Sequence, residues 1–207
     1  MSSYKVRDWV LVGLFGALWG VVETTLGTYL NVIFPSFTNT FFKGVILGSI
    51  GVAVALTGRY FIQKRWSILL ISIITALLKT LSPGGSRIGP ILAILMQGAL
   101  MELVLSLASA PHAWAYVLGG ALAVGWNFPH KFVMMRIMYG RNIVQVAQKL
   151  TQDGSSMLGL DPSMAFWILA TLLGVRMLAG GVAGWGAWAL GGAVAERRGQ
   201  RGELATE

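Results

Sequence analysis

Several polar and ionisable side chains interrupt the long apolar stretches of this chain, among them Glu23, Gln97, Glu102 and Arg176. Such groups are costly to bury in a lipid-like medium, so they usually face a partner, a cavity or a ligand. Hydrogen bonding and ion pairing are the chemistry that they offer. Their types and spacing therefore indicate recognition of a small polar molecule inside an apolar bundle.

Catalytic and metal-binding chemistry is not indicated. The chain has no cysteine and only two histidines, which are too few for a histidine-built metal site. It has no HExxH, GxSxG or Walker A motif, so it cannot hydrolyse a nucleotide by itself. The spacing of Ser82, Ser86 and His130 does not support a hydrolase. We therefore expect no enzymatic activity, no cofactor and no metal site.

The composition indicates an integral membrane protein. Of the 207 residues, 55% are hydrophobic and 12% are charged, and the mean hydropathy is +0.68. Soluble domains contain about 25% charged residues. The formal charge of +8 suggests contacts with anionic headgroups in this setting, and not with nucleic acid.

The apolar stretches predict an all-α membrane protein, a six-transmembrane-helix bundle that forms a single domain over residues 1–207. About 20 apolar residues are enough to cross the hydrocarbon. The segment 131–150 mixes apolar and basic residues, which is typical of an additional amphipathic helix in the membrane interface between spans five and six. Pro129 is expected to end the fifth helix. The predicted spans are 9–30, 41–57, 66–81, 90–109, 114–126 and 164–194.

An even number of spans places both termini on one side of the membrane. Lys5, Arg7, the basic turn 59–65 and the tail 197–201 share that side, and short basic loops mark the cytoplasm. The four basic residues of the segment 131–150 oppose this assignment, but long interfacial segments count less in that rule. We therefore predict a multi-pass protein of the prokaryotic plasma membrane with both termini in the cytoplasm.

This topology brings three unusual connections together at the outer face: the aromatic loop 31–40, the proline- and glycine-rich hinge 82–89 and the corner 126–130. A helical rise of about 1.5 Å per residue places polar and aromatic side chains of several helices in the outer third of the bundle. Aromatic members would stack on a ring, and polar members would bind its edges. The predicted substrate-binding residues are Trp19, Glu23, Phe34, Lys79, Arg87, Gln97, Trp126, Asn127 and His130.

Each of these residues also has a structural interpretation. Glu23 and Lys79 could form an ion pair that only stabilises the bundle. Gln97 could make an interhelical hydrogen bond and no other contact. Interfacial or solvated positions are the alternatives for Arg87, Trp126 and His130.

Glu102 and Arg176 both fall near the midplane, about 18 Å from the outer surface by helical rise. A lone charge at that depth would be costly, so the two side chains are predicted to face each other as a midplane ion pair. The pair is interpreted as structural. Its alternative role is to relay substrate binding to the cytoplasmic half.

The first span carries a stripe of small residues at three- and four-residue spacing: Gly13, Gly16, Ala17 and Gly20. Such a stripe lets a second helix approach closely in lipid. Two interpretations are open. The stripe packs within the protein's own bundle, or it docks on a separate membrane subunit.

These features resemble the substrate-binding S components of energy-coupling factor (ECF) vitamin transporters, which are small membrane proteins of six helices. The first helix, VGLFGALWGVVE, has the small-xxx-small spacing with which those proteins dock on their coupling subunit. The passage PGGSRIGPILAILMQGALMELVL resembles the third loop and fourth helix of the thiamine-precursor-type members. The loop 31–40 resembles their lid-like first loop. The amphipathic segment 131–150 departs from a minimal S component.

The resemblance implies an S component of an ECF-type ABC importer, which captures a small water-soluble vitamin or vitamin precursor at the outer face. It implies a transmembrane coupling subunit and two ATPase subunits as partners, and toppling of the S component during transport. The alternative function is a non-transporting membrane scaffold or accessory subunit of a larger complex. An intramembrane enzyme that acts on lipid would need a nucleophile and a base, and the sequence offers no convincing set.

Overall fold

The chain forms seven α-helices in a computed structural model, which describes residues 3–33, 37–81, 88–108, 112–140 and 142–204. The side chains of 31–41, 138–139 and 198–204 lie outside that description. One 3-10 turn, Pro162–Met164, precedes the last helix. The helices are α1 (Val6–Ile33), α2 (Phe37–Ile62), α3 (Ser67–Thr80), α4 (Ile88–Leu107), α5 (Ala113–Tyr139), α6 (Ile143–Leu158) and α7 (Ala165–Leu204).

Among the described residues, four helices are long and apolar enough to cross a membrane, which confirms the transmembrane character. The same residues form helices and no strand, which confirms the all-α class. α3 is apolar, but its 14 residues span about 21 Å at 1.5 Å per residue, against a hydrocarbon thickness of about 30 Å. α5 has 27 residues, but basic residues occupy its second half. The four spans are Val6–Leu30, Phe42–Ile62, Ile88–Leu107 and Pro162–Arg197.

Two predicted connections are wrong. α5 continues through Pro129 to Tyr139. The ring of Pro129 lies on the exposed side of α5, and the residue four positions earlier is Gly125, so the helix continues there without the hydrogen bond that proline cannot donate. The predicted loop 31–40 is mostly helical, because α1 ends at Ile33 and α2 begins at Phe37.

The predicted interfacial helix 131–150 is divided between two helices. Residues 131–139 continue α5, which ends at Gly140 in the left-handed conformation (φ 60°) that glycine adopts without strain. Asn142 then caps α6, because its side chain accepts a hydrogen bond from the Val144 N–H at 3.3 Å. α6 is amphipathic and buries one face against α7. The buried residues of α6 are Val146, Leu150, Thr151 and Gly154.

One end of the bundle, here called the basal end, joins the start of α1 to the turn between α2 and α3. Lys64 Nζ lies 3.9 Å from the Asp8 carboxylate and donates to the Ser3 carbonyl oxygen at 2.8 Å. The Tyr4 hydroxyl donates to the Arg65 carbonyl oxygen at 2.7 Å. Burial raises the pKa of Tyr4 above its ordinary value. Asp8 and Lys64 therefore have specific partners at this end.

Two glycines of the small-residue stripe pack inside the bundle. A Cβ placed on Gly16 would lie 2.8 Å from the Ile74 side chain, and one placed on Gly20 would lie 2.8 Å from Leu78. Both contacts join α1 to α3. Gly16 and Gly20 therefore pack within the protein's own bundle, which was the first of the two interpretations of the stripe, and they are not available to dock on a separate subunit. The other two residues of the stripe, Gly13 and Ala17, are only partly buried.

α5 and α7 cross at a contact between two glycines. A Cβ placed on Gly180 would collide with the Gly120 backbone. We expect Gly180→Ala to lower the free energy of unfolding by about 1–3 kcal/mol, because the two helices must separate. Gly186→Ala on the same helix is the matched control, since no atom lies within 4 Å of a Cβ there. Thermal unfolding in detergent, followed by tryptophan fluorescence, compares them, and equal melting temperatures would contradict the crossing.

Candidate functional site

The opposite end of the bundle, here called the distal end, is where α3 ends and α4 begins. An ion pair joins α1 to α3 there. Lys79 Nζ lies 3.6 Å from Glu23 Oε2 and donates to the Glu23 carbonyl oxygen at 2.7 Å. Lys43 of α2 approaches the same place, because its Cε lies 3.8 Å from a Cβ placed on Gly27. The structure thus contains the ion pair that was the structural alternative for Glu23 and Lys79.

Two predicted site residues meet against a glycine of α2. Gln97 of α4 and Asn127 of α5 both face Gly48: from a Cβ placed there, Asn127 Nδ2 lies 3.0 Å and Gln97 Nε2 lies 3.5 Å away. Gln97 is 3% exposed. Within the part of the chain whose side chains are described, neither amide forms a hydrogen bond. The missing side chain of Gly48 lets the two amides pack closely against α2.

Arg176 of α7 adds a cation one helical turn away. Its Nη1 and Nη2 lie 3.1 Å and 3.3 Å from a Cβ placed on Gly44, and the residue is 5% exposed. Positions 44 and 48 of α2 are neighbours on one helix face. The guanidinium and the two amides therefore line the same face of α2. We call Gln97, Asn127 and Arg176 the polar cluster.

Three aromatic residues of the predicted site lie at or near this face. Trp19 is fully buried, with its indole nitrogen against Gly51 of α2. The rings of Trp126 and His130 are 6.2 Å apart, and His130 Nε2 donates to the Gly89 carbonyl oxygen at 3.0 Å. Trp126 Nε1 and His130 Nδ1 are buried and form no hydrogen bond with the described residues. These two nitrogens could serve as a donor and an acceptor for a bound molecule.

Two predicted site residues, Phe34 and Arg87, lie outside the described residues. Their roles in stacking and in binding a polar edge stay predictions.

The predicted midplane ion pair between Glu102 and Arg176 is wrong. Glu102 lies at the basal end, where its carboxylate accepts hydrogen bonds from the backbone N–H groups of Trp66 at 2.7 Å and Ile68 at 3.0 Å. Its ionic partner is Arg59, at 4.0 Å. Glu102 thus caps the N-terminus of α3 from a neighbouring helix. Arg176 contacts the opposite half of α2.

Sequence reasoning missed two cations at the distal end. Lys43 interacts electrostatically with Glu23. Lys43 is the only charged residue in the sequence of the predicted span 41–57, and a lone charge within an apolar span could have identified it as a candidate site residue. Lys131 of α5 is half-buried and interacts electrostatically with Arg176 and Asp153. The sequence analysis assigned Lys131 to a separate interfacial helix, so it did not place this residue in α5 near Arg176.

The part of the chain that the structure describes contains no group of three His, Cys, Asp or Glu residues that could hold a metal ion. No protein-family model, no curated protein and no solved structure matches the chain. Its function is therefore argued from the geometry of the site.

Proposed function

We propose that the chain is the substrate-binding S component of an ECF-type importer, and that it captures a small water-soluble vitamin or vitamin precursor at its distal end. The observation that carries the proposal is the polar cluster. Its three side chains come from three helices and meet against glycines of a fourth. Convergent polar groups within apolar walls are typical of a small-molecule site.

The two ends of the bundle differ in a way that supports this proposal. At the basal end, Glu102 accepts two backbone hydrogen bonds and a third from Ser106 at 3.0 Å. At the distal end, Gln97 and Asn127 form no hydrogen bond among the described side chains. Buried polar groups that serve only the fold are normally hydrogen-bonded within it. A bound molecule would supply the partners of the two amides.

Six crossings are part of the proposal, namely α1 to α5 and α7, with α6 near the distal surface. The ends alternate along the chain: α1 begins at the basal end with Asp8, α2 ends there near Lys64, and α4 reaches it at Glu102. This order supports a position of both termini on the basal side, which we assign to the cytoplasm. The distal end would then face outward, where a nutrient arrives.

Energy for transport would come from separate subunits, since the sequence has no Walker A motif. The proposed partners are a transmembrane coupling subunit and two ATPase subunits. On α1, Gly13 is the small residue with no atom within 4 Å of an added Cβ, so close approach of a second helix is possible there. A coupling contact would use Gly13 and Ala17, and not the buried Gly16 and Gly20.

A ligand screen tests the proposed function. The purified full chain in detergent is heated with each member of a panel of water-soluble vitamins and precursors, and unfolding is followed by tryptophan fluorescence. An S component is expected to be stabilised by its substrate and to co-purify with an ATPase module. The proposal is contradicted if no compound raises the melting temperature and no such module co-purifies.

The Glu23–Lys79 ion pair distinguishes a binding subunit from a scaffold. Replacing both residues by Met is expected to change stability little, because a matched apolar pair can replace a buried ion pair. Affinity for the compound found in the screen is expected to fall about tenfold or more, as for the loss of hydrogen bonds to charged groups. Asp8→Met with Lys64→Met removes the basal pair and is the matched control. Equal affinities of both double variants would exclude the pair from the site.

A further inference from the structure

A cavity lies at the basal end, between the start of α1 and the end of α2. Its volume is about 440 Å³, within the range of about 300–1,000 Å³ that is typical of small-molecule sites. None of its described lining residues belongs to the polar cluster, so the proposed transport function does not use it. Its charged and polar lining consists of Lys5, Arg7, Asp8, Gln63 and Lys64.

Asp8 supplies the only carboxylate among the described lining residues, and that residue is 5% exposed. Its carboxylate accepts a hydrogen bond from the Lys5 backbone N–H at 3.0 Å. It also lies 3.9 Å from Lys64 Nζ. The charges of Asp8 and Lys64 therefore offset each other in the wall of the cavity.

Lys5 and Arg7 are the cations that remain accessible to a ligand. Both residues are exposed, and no described carboxylate lies within 4.0 Å of either charged group. The guanidinium of arginine presents a planar fork of N–H donors that matches phosphate oxygens, and the lysine ammonium acts as a compact point charge. Two such cations at one cavity favour an anionic ligand.

The cavity lies where two apolar spans end. The span Val6–Leu30 begins at the residue after Lys5, and the span Phe42–Ile62 ends at the residue before Gln63. Trp9 and Trp66, which are close in sequence to these ends, are exposed. Exposed tryptophan is typical of the interface between membrane and water. The cavity is therefore at the level of the lipid headgroups, whose phosphate groups are its nearest source of anions.

We propose that this cavity binds the phosphate group of an anionic phospholipid, with Lys5 and Arg7 as its cationic contacts. Basic pockets at a membrane surface are typical sites for such headgroups. Val10 and Leu14 follow Arg7 by three and seven positions, so they lie on the same face of α1. Both are exposed, and an acyl chain of the same lipid would pack along them.

The charge of the headgroup decides which phospholipid fits. Phosphatidylglycerol presents its phosphate without a cation. Phosphatidylcholine would bring its choline cation close to Lys5 and Arg7, and the repulsion would offset the attraction of the phosphate. Each basic side chain near a membrane surface contributes about fivefold to the affinity for an anionic lipid. This inference needs only the membrane location of the chain, and it does not depend on the proposed transport function.

Native mass spectrometry of the purified full chain in a neutral detergent tests the proposal. The chain is titrated separately with phosphatidylglycerol and phosphatidylcholine, and the bound lipids are counted at each concentration. One molecule of phosphatidylglycerol is expected to bind at least fivefold more tightly than phosphatidylcholine. Glycerol phosphate carries the phosphate without acyl chains, and it is expected to bind more weakly than phosphatidylglycerol.

Variants locate the effect at the cavity. Lys5→Gln with Arg7→Gln is expected to weaken the binding of phosphatidylglycerol about 25-fold, which is about fivefold for each cation. Arg136→Gln with Lys149→Gln is the matched control, because it removes two exposed cations elsewhere and changes the net charge equally. Lys5→Arg with Arg7→Lys keeps both charges and should retain most of the affinity. Thermal unfolding without lipid checks that all three double variants are folded.

Every other outcome contradicts the proposal. Equal affinities of the two glutamine double variants would show that phosphatidylglycerol responds only to the overall surface charge. Equal affinities for the two lipids would show that the cavity does not recognise an anionic headgroup. Glycerol phosphate that binds as tightly as phosphatidylglycerol would assign the cavity to a soluble phosphate ester. If no lipid is retained, the cavity is not a lipid site.

Discussion

Glu102→Ala is expected to lower the free energy of unfolding by about 3–5 kcal/mol, the usual cost of removing one partner from a buried ion pair. Glu102 is 3% exposed, and its two oxygens accept from the N–H groups of Trp66 and Ile68. Alanine would leave both donors and the Arg59 guanidinium without this acceptor. A melting temperature lower by roughly 6–20 °C should be seen in thermal unfolding of the full chain.

Graded variants separate the parts of this effect. Glu102→Gln keeps one oxygen acceptor and loses the charge, so its melting temperature should lie between those of Glu102→Ala and the unchanged chain. Ser106→Ala removes one donor to the same carboxylate and should cost about 1 kcal/mol. If Glu102→Ala melts no lower than Ser106→Ala, the cap on α3 does not contribute to stability as the structure indicates.

The Glu102 contact shows what helical rise can and cannot predict. Counting residues gave Glu102 a depth but no direction around the axis of α4. It also assumed that every span crosses the membrane fully. α3 has only 14 residues. Its first turn therefore lies beside Glu102, which is about as many residues from the hinge along α4 as that turn is along α3. The sequence could not reveal that Glu102 faces the backbone of Trp66 instead of Arg176.

Other features were predictable because they depend on local chemistry. Polar residues within apolar runs mark positions that face the interior, and this identified Gln97. Asn127 was placed at the same end of the bundle as part of the predicted corner 126–130. The Glu23–Lys79 ion pair was the structural alternative for these two residues, and the structure contains it. Glycine at three- and four-residue spacing predicted close helix packing, but not which helix would approach. Gly16 and Gly20 pack on α3, a choice that depends on the whole bundle.

Proline rules failed in α5 for a related reason. Pro129 removes one hydrogen bond and favours an end to the helix. The helix is nevertheless held on both sides of the proline by α7 and α4. Met177 of α7 lies 2.9 Å from a Cβ placed on Gly125, and His130 is bonded to Gly89 of α4. Tertiary packing therefore decides the end of α5, and it extends the site toward Lys131.

Replacing Gln97 by Met and Asn127 by Leu is expected to abolish most ligand binding and to leave stability nearly unchanged. Both replacements keep the approximate volume of the side chain and remove its hydrogen-bonding groups. Neither amide forms a hydrogen bond with the described residues, so the described part of the fold loses none. A ligand loses two, at about 0.5–1.5 kcal/mol each, and its polar group then faces an apolar wall, which costs about 1–3 kcal/mol more. Affinity should fall by about 100-fold.

A loss of affinity without a loss of stability makes this double variant a sharp test of the polar cluster. A residue that only joined two helices would show the reverse pattern, since its loss would lower the melting temperature and leave binding intact. Gln148→Met on the exposed face of α6 is the control for the chemistry of the substitution. Isothermal titration with the compound found in the screen gives affinity, and tryptophan fluorescence gives stability. A double variant that binds as tightly as the unchanged chain would show that the amides lie outside the site, and Arg176 would then have to bind its ligand without them.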